Sequence, residues 1–195
     1  METIKKIVVI GPESTGKSTL CERLAKHYNT LWVPEYAREY LEKNGTEYSY
    51  DDLLTIAKGQ IELEEAISNQ QSGFNVNSHS ILPPWGVRGL LFIDTDMYVM
   101  KVWCEFVFDN CHNWILNRIA ERKYDLYLLC DVDLPWIKDT LREYPAKNTR
   151  DKLYSFYKDL MLNQSEPWHN ISGNYEERFK NAVAFIDSEL PKELL

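Results

Sequence analysis

The sequence predicts an α/β protein, a mostly parallel sheet of about five strands flanked by helices. Three observations carry that prediction. Short apolar runs alternate with longer stretches of helical spacing, the order produced when crossover helices join parallel strands. Leu126–Cys130 is apolar without a break, as a strand buried on both faces requires. The 195 residues suit one domain, and a chain of that size buries roughly 70% of its unfolded surface without metal or disulfide staples.

Taken in order, the first strand covers residues 4–10, β-branched and closed by Gly11 and Pro12. A helix over 17–28 carries Leu20, Leu24 and Ala25 at helical spacing. A short strand at 31–33 stops at Pro34. Helices follow over 36–43 and 51–68, the second capped by Ser49 or Asp51. Residues 70–89 hold Gly73, Pro83, Pro84 and Gly86 among many Asn and Ser. They read as one long loop, and such loops in compact domains are functional or mobile. The third strand, 90–93, runs into Asp94-Thr95-Asp96. Helical patterns cover 97–108 and 112–121, and 126–130 is the fourth strand. Pro135 opens a helix to Arg142, the polar stretch 143–149 breaks it, and a further helix covers 152–162. The last strand, 168–171, precedes a helix over 175–189 introduced by Gly173 and Asn174. No repeat or linker divides the chain, so 1–195 is expected to fold as one unit.

Charge and composition remove several classes. Twenty-two basic against thirty acidic residues give a net charge of −8, which argues against a protein that grips nucleic acid or an anionic membrane. A local phosphate site remains open, since a few backbone amides and cations suffice. Residues 1–6 show no signal pattern, and no apolar run reaches the roughly 18 residues a spanning helix needs. The four cysteines (Cys21, Cys104, Cys111, Cys130) form no CxxC pair. Free thiols in a reducing cytoplasm are the expectation.

Gly11-Pro12-Glu13-Ser14-Thr15-Gly16-Lys17-Ser18 matches the phosphate-binding loop GxxxxGK[ST] at every fixed position, between a strand and a helix. The glycines let successive amides and the following helix amino terminus point at phosphate oxygens. Lys17 reaches the outer phosphates, and Ser18, followed by Thr19, offers a hydroxyl to Mg²⁺. The motif predicts binding of a nucleoside triphosphate with Mg²⁺; the choice of ATP over GTP is not written in it. A second acidic group is expected at the end of another buried strand. Asp94, after Leu90-Leu91-Phe92-Ile93, is the first choice, and Asp131, after Leu129-Cys130, competes with it.

Two features point from nucleotide binding to a small-molecule kinase. Pro34-Glu35-Tyr36-Ala37-Arg38-Glu39-Tyr40 follows the second strand, where an open α/β sheet presents residues to ligand. Glu35 can take the proton of an attacking hydroxyl, and Arg38 can hold a polar substrate group. Arg142 and Arg150 bracket a polar, proline-containing segment near 142–150 that reads as a lid. Arginines closing over a nucleotide stabilise the charge spread over the transferred phosphoryl group.

In combination GPESTGKS, PEYAREY, FIDTD, DLYLLCDVDLPWIKDTLR, a later Arg and ISGNYEERF resemble the NadR-type ribosylnicotinamide kinase domain, from about Ile4 to Phe185. The resemblance implies a P-loop NTPase fold of the nucleoside-kinase kind, acting in NAD biosynthesis. The implied activity is phosphorylation of the ribose 5′-hydroxyl of nicotinamide riboside by Mg²⁺-ATP, giving nicotinamide mononucleotide. It also implies that Gly11, Glu13, Ser14, Thr15, Gly16, Lys17, Ser18 and Thr19 hold ATP, with Ser18 and Asp94 on Mg²⁺. Arg142 and Arg150 would be lid arginines, and Ser172-Gly173-Asn174 would lie near the adenine. The 70–89 loop is longer than that pattern. The sequence carries no segment like the adenylyltransferase or helix-turn-helix that accompany this kinase in multifunctional regulators, so kinase activity alone is expected.

Nicotinamide riboside carries a pyridinium cation, best held by an aromatic face with a carboxylate nearby. Trp32, Tyr36, Tyr40, Trp103 and Trp136 are the aromatic candidates, with Glu35 and Asp96 as carboxylates. For the acceptor site the choice falls on Glu35, Tyr36, Arg38, Asp96 and Trp136. Which carboxylate is the base, Glu35 or Asp94, is open, as is a homo-oligomeric state. A kinase of another nucleoside, a slow nucleotide-hydrolysing switch with a protein partner, and a plain nucleotide binder remain as alternatives.

Overall fold

The computed structural model describes residues 4–72 and 89–192. Five strands form one sheet: β1 (Lys5–Ile10), β2 (Leu31–Val33), β3 (Leu90–Asp94), β4 (Leu126–Cys130) and β5 (Trp168–Ile171). Their spatial order is β2-β3-β1-β4-β5, and every pair is parallel. The expected sheet is therefore parallel throughout. Among the described residues seven helices cover it. They are α1 (Lys17–Tyr28), α2 (Tyr36–Asn44), α3 (Tyr50–Ser72), α4 (Met97–Phe108), α5 (Asn113–Glu121), α6 (Lys147–Asn163) and α7 (Tyr175–Glu189).

The strand sequences explain the two-sided cover. Ile7, Val8, Val9 and Ile10 are all fully buried, as are Leu90 through Ile93, because both faces of a parallel sheet carry helices. Ile7, Val9, Phe92 and Leu128 point to one layer with Leu20 and Leu24 of α1 and Ile186 of α7. Val8, Ile10, Leu91 and Ile93 point to the other, with Val99 and Val102 of α4 and Leu153 and Tyr157 of α6. A satellite core joins α2 to α5 through Leu53, Ile56, Met100 and Ile115. Truncating any fully buried leucine of the central strands to Ala is expected to cost about 2–5 kcal/mol.

The sheet order fixes the site. β1 lies between β3 and β4, so the chain leaves its carboxyl end with crossovers to both sides and a crevice opens there. In register, Val9 faces Asp94 and Ile10 faces Leu129. The end of β3 thus stands beside the loop that leaves β1.

Two expectations differ from the structure. No helix forms over 135–142; residues 135–139 have no regular structure and 140–141 make a turn. The reason is that the amides of Ile137, Glu143 and Tyr144 and the indole of Trp136 are taken by side chains of the phosphate loop. Helix α6 instead starts at Lys147, five residues before the predicted 152. The expected lid of 142–150 is accordingly split, with 147–150 forming the first turn of α6. The expected 70–89 loop lies, from 73 to 88, outside the described residues, and 70–72 belong to α3.

Candidate active site

The loop after β1 has the backbone that a phosphate cradle needs. Gly11, Ser14 and Gly16 adopt positive φ values of 139°, 58° and 78°, and the Thr15 hydroxyl donates to Pro12 O at 2.7 Å. Gly11 is required twice over, because a Cβ there would stand 2.6 Å from Cys130 O at the end of β4. Gly16 is the N-cap of α1 and has no capping side chain, leaving the helix amides free to face an anion. Lys17 Nζ donates to Pro12 O at 3.1 Å, folded across the same loop.

Two carboxylates stand at the next strand ends. Asp94 is fully buried; its Oδ2 accepts from Ser18 Oγ at 2.5 Å, and its Oδ1 has no partner among the described residues. Burial pushes its pKa up to about 7, and the negative charge of Glu35 adds to that. Lys17, the Ser18 bond and Arg38 act against it. Glu35, the N-cap residue of α2, accepts from the Thr95 hydroxyl at 3.4 Å. Thr95 itself has φ 80°, a strained value for a β-branched residue that costs on the order of 1–3 kcal/mol. The competing carboxylate, Asp131, is engaged elsewhere and accepts from Asn170 Nδ2 at 3.1 Å.

A cavity of about 230 Å³ joins the phosphate loop to an apolar chamber. Gly11, Glu13, Ser14, Thr15, Gly16, Lys17, Ser18 and Thr19 form its floor, and Glu35, Arg38 and Arg142 its polar side. Trp103, Phe106, Tyr144 and Tyr157 wall the far end, and Tyr175 stands at the opposite end beside Gly16. The Tyr157 side chain is almost wholly buried, and no residue among those described hydrogen-bonds its hydroxyl. Arg150 is 4% exposed, and its Nε and Nη1 lack partners among the described residues.

Several residues singled out by the sequence stand apart from this cavity. Asp96 is buried as the N-cap of α4, accepting from Tyr98 N, Val99 N and the Tyr127 hydroxyl. Burial raises its pKa to about 7 against those three donors. Tyr36 lies flat on Gly59 of α3, where any Cβ would collide with its ring. Trp136 donates to Glu13 Oε1 at 3.0 Å. Asn174 caps α7 in a full capping box with Glu177, and Gly173 N donates to Asp133. From the turn of Ser172, Gly173 and Asn174, the chain leads directly to Tyr175 in the cavity wall. Of the five aromatics proposed for a pyridinium ring, Trp103 alone lines the cavity.

Two organising residues went unread in the sequence. Gln60, 1% exposed on α3, accepts from Tyr36 N at 2.7 Å and donates to Pro34 O and Asp94 O. One amide thereby ties together the backbone around both carboxylates. Arg178, 2% exposed on α7, donates to the carbonyls of Thr15, Asp131, Ile171 and Gly173 and to the Asp133 carboxylate. It pins the phosphate loop to the ends of β4 and β5. Each sits at core spacing, Gln60 with Ile56, Ala57 and Ile61, and Arg178 with Ala182 and Ile186. A polar residue on an apolar helix stripe was the available signal.

Comparison with known proteins agrees with this architecture. The profile of a family described as an AAA domain matches residues 6–178. The trifunctional NAD biosynthesis/regulator protein NadR of Salmonella typhimurium is 26% identical over 98% of this chain and 43% of its own length. NadR of Escherichia coli is 26% identical over 94% of this chain and 42% of its own. The chain thus spans less than half the length of these curated relatives. A crystal structure of NadR in complex with NR superposes with a TM-score of 0.69 at 24% identity, covering 95% of this chain and 50% of that one. Thymidylate kinase from Candida albicans superposes at 0.60 with 15% identity, covering 94% and 91%.

Proposed function

The chain belongs to the family of AAA domains, and from that premise we propose that it is a P-loop kinase of nicotinamide riboside. It transfers the γ-phosphoryl group of Mg²⁺-ATP to the ribose 5′-hydroxyl and yields nicotinamide mononucleotide, a step of NAD salvage. The observation that carries the reading is the single cavity that runs from the phosphate loop, past Glu35, into an aromatic chamber. The NadR relatives support the choice of substrate.

The geometry supports a role for each residue. The amides of the 11–18 loop and Lys17 hold the phosphates, and Tyr175, with the turn of Ser172, Gly173 and Asn174 behind it, borders the nucleobase. The Ser18 hydroxyl and Asp94 suit a hard divalent cation, since Asp94 Oδ1 is a buried acceptor without a partner. Mg²⁺ bound there supplies charge neutralisation to the outer phosphates. Glu35 takes the proton from the ribosyl hydroxyl as that oxygen bonds to phosphorus and ADP leaves. With Gln60 holding the turns of Glu35 and Asp94, the two carboxylates keep separate duties. Arg142 and Arg150, whose Nε and Nη1 have no partner among the described residues, stabilise the charge on the transferred group. Arg38 binds a ribose hydroxyl, and Trp103, Tyr144 and Tyr157 face the pyridinium ring in place of Tyr36, Asp96 and Trp136. The four free cysteines suit a reducing compartment such as the cytoplasm.

Calorimetric titration tests the substrate choice. With a non-hydrolysable ATP analogue present, nicotinamide riboside should bind at least about tenfold more tightly than uridine or thymidine, the scale of one cation–π contact in a desolvated pocket. Equal affinity would remove the pyridinium from the recognition. A second reading, transfer to another nucleoside, is favoured by one observation. The chamber wall offers aromatic faces with Glu35 as its carboxylate, and aromatic faces accept any base.

A further inference from the structure

Glu13 occupies one of the four unspecified positions of the phosphate loop, where a carboxylate repels the phosphates that the loop exists to bind. Its side chain turns away from that task. Oε1 accepts from Trp136 Nε1 at 3.0 Å and from Tyr144 N at 2.8 Å, and Oε2 accepts from Glu143 N at 2.9 Å. All three donors belong to one irregular strap, residues 131–146, that crosses the mouth of the site. The adjacent Ser14 hydroxyl accepts from Ile137 N at 3.0 Å.

The strap carries the groups that face the cavity. Arg142, next to Glu143, lines it, as does Tyr144. The Arg142 side chain is folded back on Ile137 O at 2.6 Å, so the two amides held by Glu13 and the one held by Ser14 fix the backbone on both sides of that contact. The start of the strap, Asp131 and Asp133, is tied to Asn170, Gly173 and Arg178; farther along, Asp139 accepts from Arg38 at 3.0 Å and Glu143 from the Tyr48 hydroxyl at 3.0 Å. Arg38 is 45% exposed, and an exposed pair of that kind holds a segment weakly. Charge-assisted bonds from backbone amides to a single carboxylate hold it more firmly.

We propose that the Glu13 side chain is a positioning group that anchors the 131–146 strap to the phosphate loop and so sets Arg142 over the phosphoryl group, without its carboxylate touching the nucleotide. The proposal rests on the 11–18 loop as the nucleotide site and is independent of which nucleoside accepts the phosphate. It explains why an acid is tolerated in a phosphate cradle: the repulsion is offset by the three donors that the carboxylate accepts from.

The test compares Glu13→Ala, Glu13→Gln and Trp136→Phe with the wild-type chain, using amide hydrogen exchange, calorimetry with an ATP analogue, and turnover. In Glu13→Ala, exchange at Glu143 and Tyr144 should speed up about tenfold, the scale of one net hydrogen bond. The kcat should fall about a hundredfold, as for a catalytic group displaced by ~1 Å, while ATP-analogue affinity stays within about threefold or tightens. Glu13→Gln keeps Oε1 for Trp136 and Tyr144 and should recover most of the lost kcat. Trp136→Phe removes one bond without altering the loop and should shift exchange and kcat in the same direction by less. Unchanged exchange in Glu13→Ala would overturn the anchor. A loss of affinity proportional to the loss of turnover would overturn the positioning role, placing Glu13 on the nucleotide instead. A wild-type chain that binds nucleotide but phosphorylates no nicotinamide riboside would fail the function proposed above, and the exchange and affinity measurements would still decide the role of Glu13.

Discussion

Ser18 Oγ donates to Asp94 Oδ2 at 2.5 Å, while Asp94 Oδ1, fully buried, has no partner among the described residues. The hydroxyl comes from the first turn of α1 and the carboxylate from the end of β3, 76 positions later. Their meeting is a consequence of sheet order, since β1 and β3 are neighbours with Val9 opposite Asp94. It brings two oxygens together at the base of the phosphate loop, with one buried acceptor that no described residue satisfies.

The division of labour between Lys17 and Glu35 is separable by mutation. Lys17→Ala should lower phosphoryl transfer by at least about a hundredfold, the scale of removing one preorganised charge-stabilising group. Glu35→Gln should leave ATP binding intact and reduce kcat by about 10²–10⁴, the contribution of a positioned general base. Initial rates together with nucleotide titration check both. Wild-type turnover in Glu35→Gln would transfer the base role to Asp94.

Acidity in the ligand-free protein has a definite sign. Burial raises the pKa of Asp94 and of Asp96 to about 7, above the unfolded value near 4. Between roughly pH 4 and 7 each of these two carboxyls therefore binds more protons folded than unfolded, and its contribution to stability falls as pH rises through that window. Urea unfolding in EDTA should show a midpoint that declines from pH 5 to pH 7.5. Asp96→Asn should flatten that slope, burial being the main cause of the shift and the charge of Glu64 a smaller one in the same direction. A midpoint rising over the same range would contradict the burial assigned to these carboxyls.

Gln60→Leu tests the tie between the two carboxylate turns. It leaves Tyr36 N, Pro34 O and Asp94 O without their partner, at a cost of about 1–3 kcal/mol. Thermal unfolding should record that loss, and kcat should fall further than stability alone explains. Gln60→Glu retains the acceptor for Tyr36 N but loses both donors, so it should recover only part.

Arg178→Ala removes the staple beneath the nucleotide side of the site. Four backbone carbonyls and Asp133 lose a donor; the arginine is 2% and Asp133 37% exposed, so the loss falls on the carbonyls and costs on the order of 1–3 kcal/mol. Arg178→Lys should not restore it, because a point ammonium cannot span the fork of acceptors that the guanidinium reaches. Denaturant midpoints of the two variants check this directly.

The strands and the phosphate loop were legible because their signals are local. Uninterrupted apolar runs gave β3 and β4 nearly to the residue, and the loop motif fixes its residues by spacing alone. The 135–142 segment misled for a physical reason. Its helical pattern is real, but the amides a helix would use are satisfied by Glu13 and Ser14 more than 120 positions away, and no local rule foresees that. Tyr144 and Tyr157 belong to the site through the packing of the strap and α6 over α4. Trp136, Tyr36 and Asp96 had the right chemistry near the right strand ends, yet capping, ring packing and Glu13 claimed them first. Long-range competition for hydrogen-bond partners is what the sequence leaves unwritten.

The most direct test of the central claim is a mass-resolved phosphoryl-transfer assay with Mg²⁺-ATP, nicotinamide riboside and a nucleoside panel. The account predicts a product one phosphate heavier than nicotinamide riboside, matched by an equal amount of ADP and lost in Lys17→Ala. ADP released with no acceptor modified, or transfer confined to a different nucleoside, would contradict it.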